Sequence, residues 1–160
     1  MAATVALAPT ASAAPGTLSY VDSATTAGAR SSHRVTIPAT VQPGDALVLF
    51  LTTNSSTATV GNLAGWTLIQ SQDGTGIRGR AWTKTATSTD DCAQFTVTTS
   101  ASVKSAMTVP AYRSTVGQAE VTASASAVTN TSSSSHATPT AAVADANSWL
   151  VNVWSEKSAS

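Results

Sequence analysis

Residues 41–54 read VQPGDALVLFLTTN, and how they fold decides the architecture. Pro43 presets φ for a turn, Gly44 supplies a positive φ, and Asp45 is placed to accept nearby backbone N–H groups. The run Ala46–Leu51 is apolar at every position, so both of its pleat faces need cover, as in a central strand. The stretch therefore reads as a corner that launches a buried strand, with Asp45 a turn residue rather than a reacting group.

Outward from this strand the alternation is period-2. Leu18 and Tyr20 share one face of GTLSYVDS. Val35 and Ile37 point inward in HRVTIP, with Arg34 and Thr36 outward. WTLIQSQ, IRGRAWTKTA, AQFTVTTS, VKSAMTVPAYR, QAEVTASASAV, HATPTAAV and SWLVNVW follow, about ten extended segments in all. Turn residues separate them, among them Asp73-Gly74, Thr89-Asp90-Asp91 and Gly117. No stretch has strong helical periodicity, and the Ala-rich pieces alternate with Ser and Thr, which disfavour helix interiors. Many short strands at near-regular spacing imply an all-β fold, an antiparallel β-sandwich of jelly-roll-like or fibronectin-like type. Val35, Ile37, Leu47, Leu49, Leu68, Phe95, Val97 and Val109 are the expected core. Residues 129–139, TNTSSSSHATP, read as a Ser-rich loop.

The chain has 160 residues, one-domain size, a formal charge of zero and 10% charged residues, well below the usual quarter or so. No basic field is available for phosphates, which argues against nucleic acid as a partner. Polarity comes from Ser, Thr and Asn, a pattern that suits an extracellular β protein. Residues 1–14 run through an Ala/Val/Leu stretch into Ala11-Ser12-Ala13, an A-x-A pattern expected of an export-signal remnant, with a disordered tail as the alternative. No Lys or Arg precedes Arg30, so the charged start of such a signal is missing. Residues 15–160 are then one domain. No later apolar run reaches the roughly 18 residues of a membrane span. Cys92 is the single cysteine, which excludes an internal disulfide and Cys-rich metal sites.

His33 and His136 lack ligand partners at metal spacing and read as solvated; no metal or other cofactor is expected. Neither H-E-x-x-H, G-x-S-x-G nor a P-loop is present, so the chain is read as having no catalytic activity. The candidate ligand surface is IRGRAWTK, residues 77–84, where alternation puts Arg78, Arg80, Trp82 and Lys84 on one face. A Trp flanked by guanidiniums can meet a sugar ring or an anionic polymer. The alternative is a core Trp beside a self-satisfied charge ladder. In the last strand Leu150 and Trp154 lie on one face, and Trp149, Val151 and Val153 on the other. Both faces are apolar, which points to self-association through Trp149, Val151, Val153 and Trp154.

The strand and turn signatures VTIPATVQPGDALVLFLTTN (35–54), GWTLI (65–69), GRAWTKTAT (79–87), VKSAMTVPAYRS (103–114) and SWLVNVWS (148–155) resemble poorly characterised β-sandwich accessory modules of secreted actinobacterial and phage tail-associated multidomain proteins. The resemblance spans roughly residues 30–156. It implies a binding, spacer or adhesive role and carries no catalytic residues. Such modules usually continue with further strands beyond the element at 149–154, so the chain is expected to lack its last strands or to take them from another chain. The expectation is a secreted structural or binding module contacting extracellular polysaccharide, or a self-associating subunit of an extracellular fibre or phage-tail-like appendage.

Overall fold

A computed structural model of the chain describes residues 1–9, 17–143 and 147–157. The fold is all-β. Among the described residues there are eight strands: β1 (Ala2–Pro9), β2 (Leu18–Thr36), β3 (Ala46–Thr53), β4 (Thr67–Gly74), β5 (Ile77–Thr85), β6 (Gln94–Ser114), β7 (Ala119–Ala127) and β8 (Trp149–Trp154). Two open antiparallel sheets form, a five-stranded one ordered β2-β6-β3-β5-β4 and a three-stranded one ordered β7-β1-β8. Among the described residues no helix is long and apolar enough to cross a membrane.

The opening stretch behaves as its sequence dictates. β3 is the middle strand of five, and Ala46–Leu51 are all buried. Its two faces feed two cores. Ala46, Val48 and Phe50 pack with Val5, Leu7, Ala81 and Tyr112 in the layer between the sheets. Leu47, Leu49 and Leu51 pack on the other side with Trp82, Met107 and Val109. That second face is covered because β2 and β6 are 19 and 21 residues long and shift register between Arg30 and Ser32. Their far ends bring Val35, Ile37 and Val97 onto it, joined by Leu63, Val60 and Trp66 from the β3–β4 connection. A register shift of this kind bends a strand and increases its twist.

The corner before β3 has the expected chemistry. Gly44 has φ +92° with open space where a Cβ would sit, a conformation that costs glycine little. The Asp45 carboxylate accepts the Gln42 N–H at 2.8 Å. It also accepts two bonds from the Arg113 guanidinium at 2.7 Å each. This forked pair fixes the start of β3 to the end of β6.

Four expectations change. The ten segments give seven of the eight described strands, because two pairs fuse into β2 and β6 and HATPTAAV (136–143) forms no strand; the eighth, β1, was not among them. Residues 2–9, read as part of a signal remnant or disordered tail, form the centre of the smaller sheet, with Val5, Ala6, Leu7 and Ala8 fully buried. An uncharged apolar run suits a doubly covered strand as well as it suits an export signal; Ala11-Ser12-Ala13 lies outside the described residues. Leu68 is 52% exposed rather than core. It sits on edge strand β4, where a register shift between Leu68 and Gln70 turns Ile69 toward the inter-sheet layer instead. Phe95 is only partly buried, against Trp66. The other six expected core residues are buried.

His33 is the fourth change: it is 1% exposed. It shares the inward parity of Val35 and Ile37, a signal present in the alternation itself. Its Nδ1 lies 2.6 Å from Ser105 Oγ and its Nε2 3.3 Å from Thr99 Oγ1. Thr99 Oγ1 donates to the Ala101 carbonyl at 2.8 Å. Thr99 therefore accepts from Nε2–H, and Nδ1 accepts from Ser105. Burial pulls the imidazole below its ordinary titration range, and the nearby Arg30 charge adds to this. His136 is exposed.

Candidate functional site

Strand β5 carries the first candidate surface. Arg78, Arg80, Trp82 and Lys84 do share a face, because they oppose Thr53, Leu51, Leu49 and Leu47 of β3. That face is the one the second core covers, so the four residues fare differently along it. Trp82 lies at 6% exposure within the cluster that includes Leu49 and Met107. At that exposure only a margin of its ring reaches the surface, too little to serve as a stacking platform for a sugar.

The cations beside it have partners within the chain. Arg78 grips Asp73 with a fork, Nε to Oδ1 at 2.8 Å and a terminal nitrogen to Oδ2 at 2.9 Å. It also donates to the carbonyls of Ser56 and Ala58, which ties the β3–β4 connection to the sheet. Arg80 reaches the same carboxylate at 2.9 Å. Hydrogen bonding from Arg78, assisted by Arg80, pulls the Asp73 carboxyl down to about 2 against a smaller opposing effect of desolvation. Lys84 pairs with Asp90, whose carboxylate also caps the Thr87 N–H at 2.7 Å. Burial pushes Asp90 up, and the bonds from Lys84 and Thr87 together more than reverse it. Two guanidiniums against one carboxylate leave one net positive charge at the Asp73 cluster. An open cleft of about 430 Å³ lies beside it, lined by residues 59–63 together with Leu68, Arg78, Arg80 and the small accessible margin of Trp82.

The second candidate surface is β8. It pairs with β1 on one side and with no other strand among the described residues. Val151 and Val153 point inward and pack against the inter-sheet core. Trp149 is on that same side at the margin, 42% exposed, with its ring edge-on to Tyr112 at 6.4 Å. Tyr112 meets Tyr20 at 6.1 Å in turn, and Tyr20 is also exposed. Burial, with a contribution from Tyr20, pushes the Tyr112 hydroxyl up to about 12. Leu150 and Trp154 point outward, each 55% exposed. The four residues read from the sequence as a self-association surface are thus split between core and solvent. Leu150, left out of that set, belongs to the exposed part. The alternation put Leu150 and Trp154 together; only the packing shows which face is covered.

Cys92 is exposed in the turn before β6, with φ 55°. No family model, no curated protein and no solved structure matches the chain.

Proposed function

We propose that this chain is a non-catalytic extracellular structural module that associates with further copies of itself along β8. One observation carries the reading: a strand paired on one side only, with Trp149, Leu150 and Trp154 exposed and no charged residue from Trp149 to Trp154. Proteins that stay monomeric guard such edges with Lys, Pro, bulges or covering loops. Here two of the three outward residues, Leu150 and Trp154, are apolar, with Asn152 between them bonded to Thr4, so edge pairing adds hydrogen bonds and covers part of a Leu and a Trp per copy in the same step. The extracellular placement rests on the hydroxyl-rich, charge-poor composition.

Size-exclusion chromatography with Leu150→Lys and Trp154→Lys tests this. Both positions point to solvent, so a charge there leaves the core intact and is expected to shift the chain to the monomer. Oligomers that survive both substitutions would refute the reading. Val151→Lys is not a clean test, because Val151 packs inward.

A second reading is contact with extracellular polysaccharide in the cleft over Arg78 and Arg80, supported by the net positive charge left beside Asp73. Its ligands would be acidic, since Trp82 supplies no stacking face. Binding of an acidic but not a neutral glycan, lost with Arg80→Ala, supports it; equal binding of both refutes it.

A further inference from the structure

The two guanidiniums at Asp73 are engaged unequally. Arg78 is committed at every nitrogen: Nε and one terminal nitrogen clasp Asp73, and the terminal nitrogens also reach the Ala58 and Ser56 carbonyls. Arg80 engages one nitrogen only. Its Nη1 donates to Asp73 Oδ1 and to the Gly79 carbonyl, each at 2.9 Å. Nε and Nη2, which together form one forked edge of the guanidinium, have no partner among the described residues. They are not sealed from solvent either, because Ser148 Oγ is the one buried side-chain polar atom without a partner among those residues.

The free edge lies where a ligand can meet it. Arg80 lines the cleft of about 430 Å³ on the Trp82 side of β5. Leu68 reaches the same cleft from β4, where it opposes Trp82 while Ser71 opposes Arg80, and it is 52% exposed. Asn62, on the opposite wall, is exposed and makes no side-chain hydrogen bond among the described residues. A charged fork, an apolar surface and an amide thus share one cleft.

A planar carboxylate matches a guanidinium fork with two parallel N–H···O bonds. The single net positive charge at the cluster matches one carboxylate. In a uronic acid that carboxylate is bonded directly to a ring carbon, so the ring's C–H surface arrives beside the anion, as Leu68 lies beside Arg80. A sulfate ester is tetrahedral and held off the ring by an oxygen, which separates the anion from that surface.

We propose that this cleft is a uronate subsite, in which Arg80 clasps the carboxylate of one uronic acid residue of a glycan through Nε and Nη2 and Leu68 meets its ring. The assignment rests on the reading of the cleft as a contact for acidic polysaccharide; it adds which acid is taken and which residue selects it. Arg78 holds the wall of the site and does not bind the ligand.

Isothermal titration calorimetry of the full chain tests this with trisaccharides of galacturonate and mannuronate, their methyl esters, and a galactose trisaccharide carrying one sulfate per residue. The esters keep the rings and lose the charge; the sulfated sugar keeps the charge and changes its geometry. At least one uronate is expected to bind, its ester about tenfold or more weaker and the sulfated sugar severalfold weaker. Arg80→Lys keeps the charge without the fork and is expected to weaken the uronate about tenfold and to remove its advantage over sulfate. Leu68→Ser, at an exposed position, is expected to weaken the uronate severalfold with the thermal midpoint unchanged. Sulfate bound as tightly as the better uronate, or undiminished uronate binding in either variant, overturns the subsite and leaves the acidic-polysaccharide reading standing. Binding of neither uronate nor sulfate overturns both. Should Arg80→Lys fail to fold, the comparison of ligands on the unaltered chain and Leu68→Ser decide the matter.

Discussion

Replacing Trp82 with alanine separates a binding platform from a core residue. The indole is 6% exposed and faces Leu49 across the β3–β5 ladder. A Trp that buries about 200 Å² contributes about 5 kcal/mol at ~25 cal/mol per Å², before the alanine's own share is subtracted. Core Trp→Ala changes cost about 3–5 kcal/mol, which agrees. The cleft above Arg78 and Arg80 reaches Trp82, so water can enter part of the vacated space and the loss belongs toward the lower end. For a domain of this size each kcal/mol moves the thermal midpoint by roughly 2–4 °C, giving a fall of roughly 6–20 °C. Far-ultraviolet circular dichroism during heating, with urea titration as a second measure, reads this directly. A midpoint within about 2 °C of wild type would refute the core assignment, because only an exposed Trp is removed at so small a cost.

Three further outcomes follow from the packing. A chain that begins at Ala14 loses Val5 and Leu7 from the inter-sheet core, and at about 1.5–3 kcal/mol per buried side chain it is expected to be about 3–6 kcal/mol less stable in urea; exported material is accordingly expected to retain residues 2–9 by intact mass, and a mature start at Ala14 would contradict this. Burial holds the folded His33 imidazole below its ordinary titration range near 6.5, so as pH falls below that range the unfolded chain takes up a proton that the folded chain resists, and stability declines; melts at pH 5 and pH 7.5 should show a decline that His33→Asn reduces, and an equal decline in both proteins would contradict the assignment. Arg113→Ala leaves the 1%-exposed Asp45 carboxylate with only the Gln42 N–H; because Arg113 itself is 35% exposed and water can take part of its place, the cost by urea unfolding is expected below the about 3–5 kcal/mol of a fully buried pair, on the order of 1–3 kcal/mol, and an unchanged urea midpoint would contradict the pairing.

Much of the architecture was legible in the residues. The apolar run after Pro43-Gly44-Asp45 specifies a strand covered on both faces, and β3 is that strand. Alternation placed Val35, Ile37, Val97 and Val109 correctly because one-sided burial writes itself as period 2. It would have placed His33 too, had parity been weighed above residue type. What could not be read was long-range. Arg113 lies 68 residues from Asp45, and no local pattern announces that pairing. The bulge that exposes Leu68 shifts parity without a Gly or Pro to mark it. On β5 the alternation found the right face, but a face is not a site: whether Trp82 meets solvent depends on Leu63, Val60 and the bent ends of β2 and β6. Residues 2–9 show the same limit, since an export signal and a buried strand share one composition.

Hydrogen–deuterium exchange read by mass at low and high protein concentration tests the β8 assembly most directly. Among the described residues the outer-edge amides of β8 have no partner strand, and such amides exchange quickly when solvated. With association along this strand, peptides spanning Trp149–Trp154 become slower to exchange as concentration rises, and Leu150→Lys abolishes the slowing. Oligomers forming while exchange in that segment stays unchanged, with new protection elsewhere, would contradict the account.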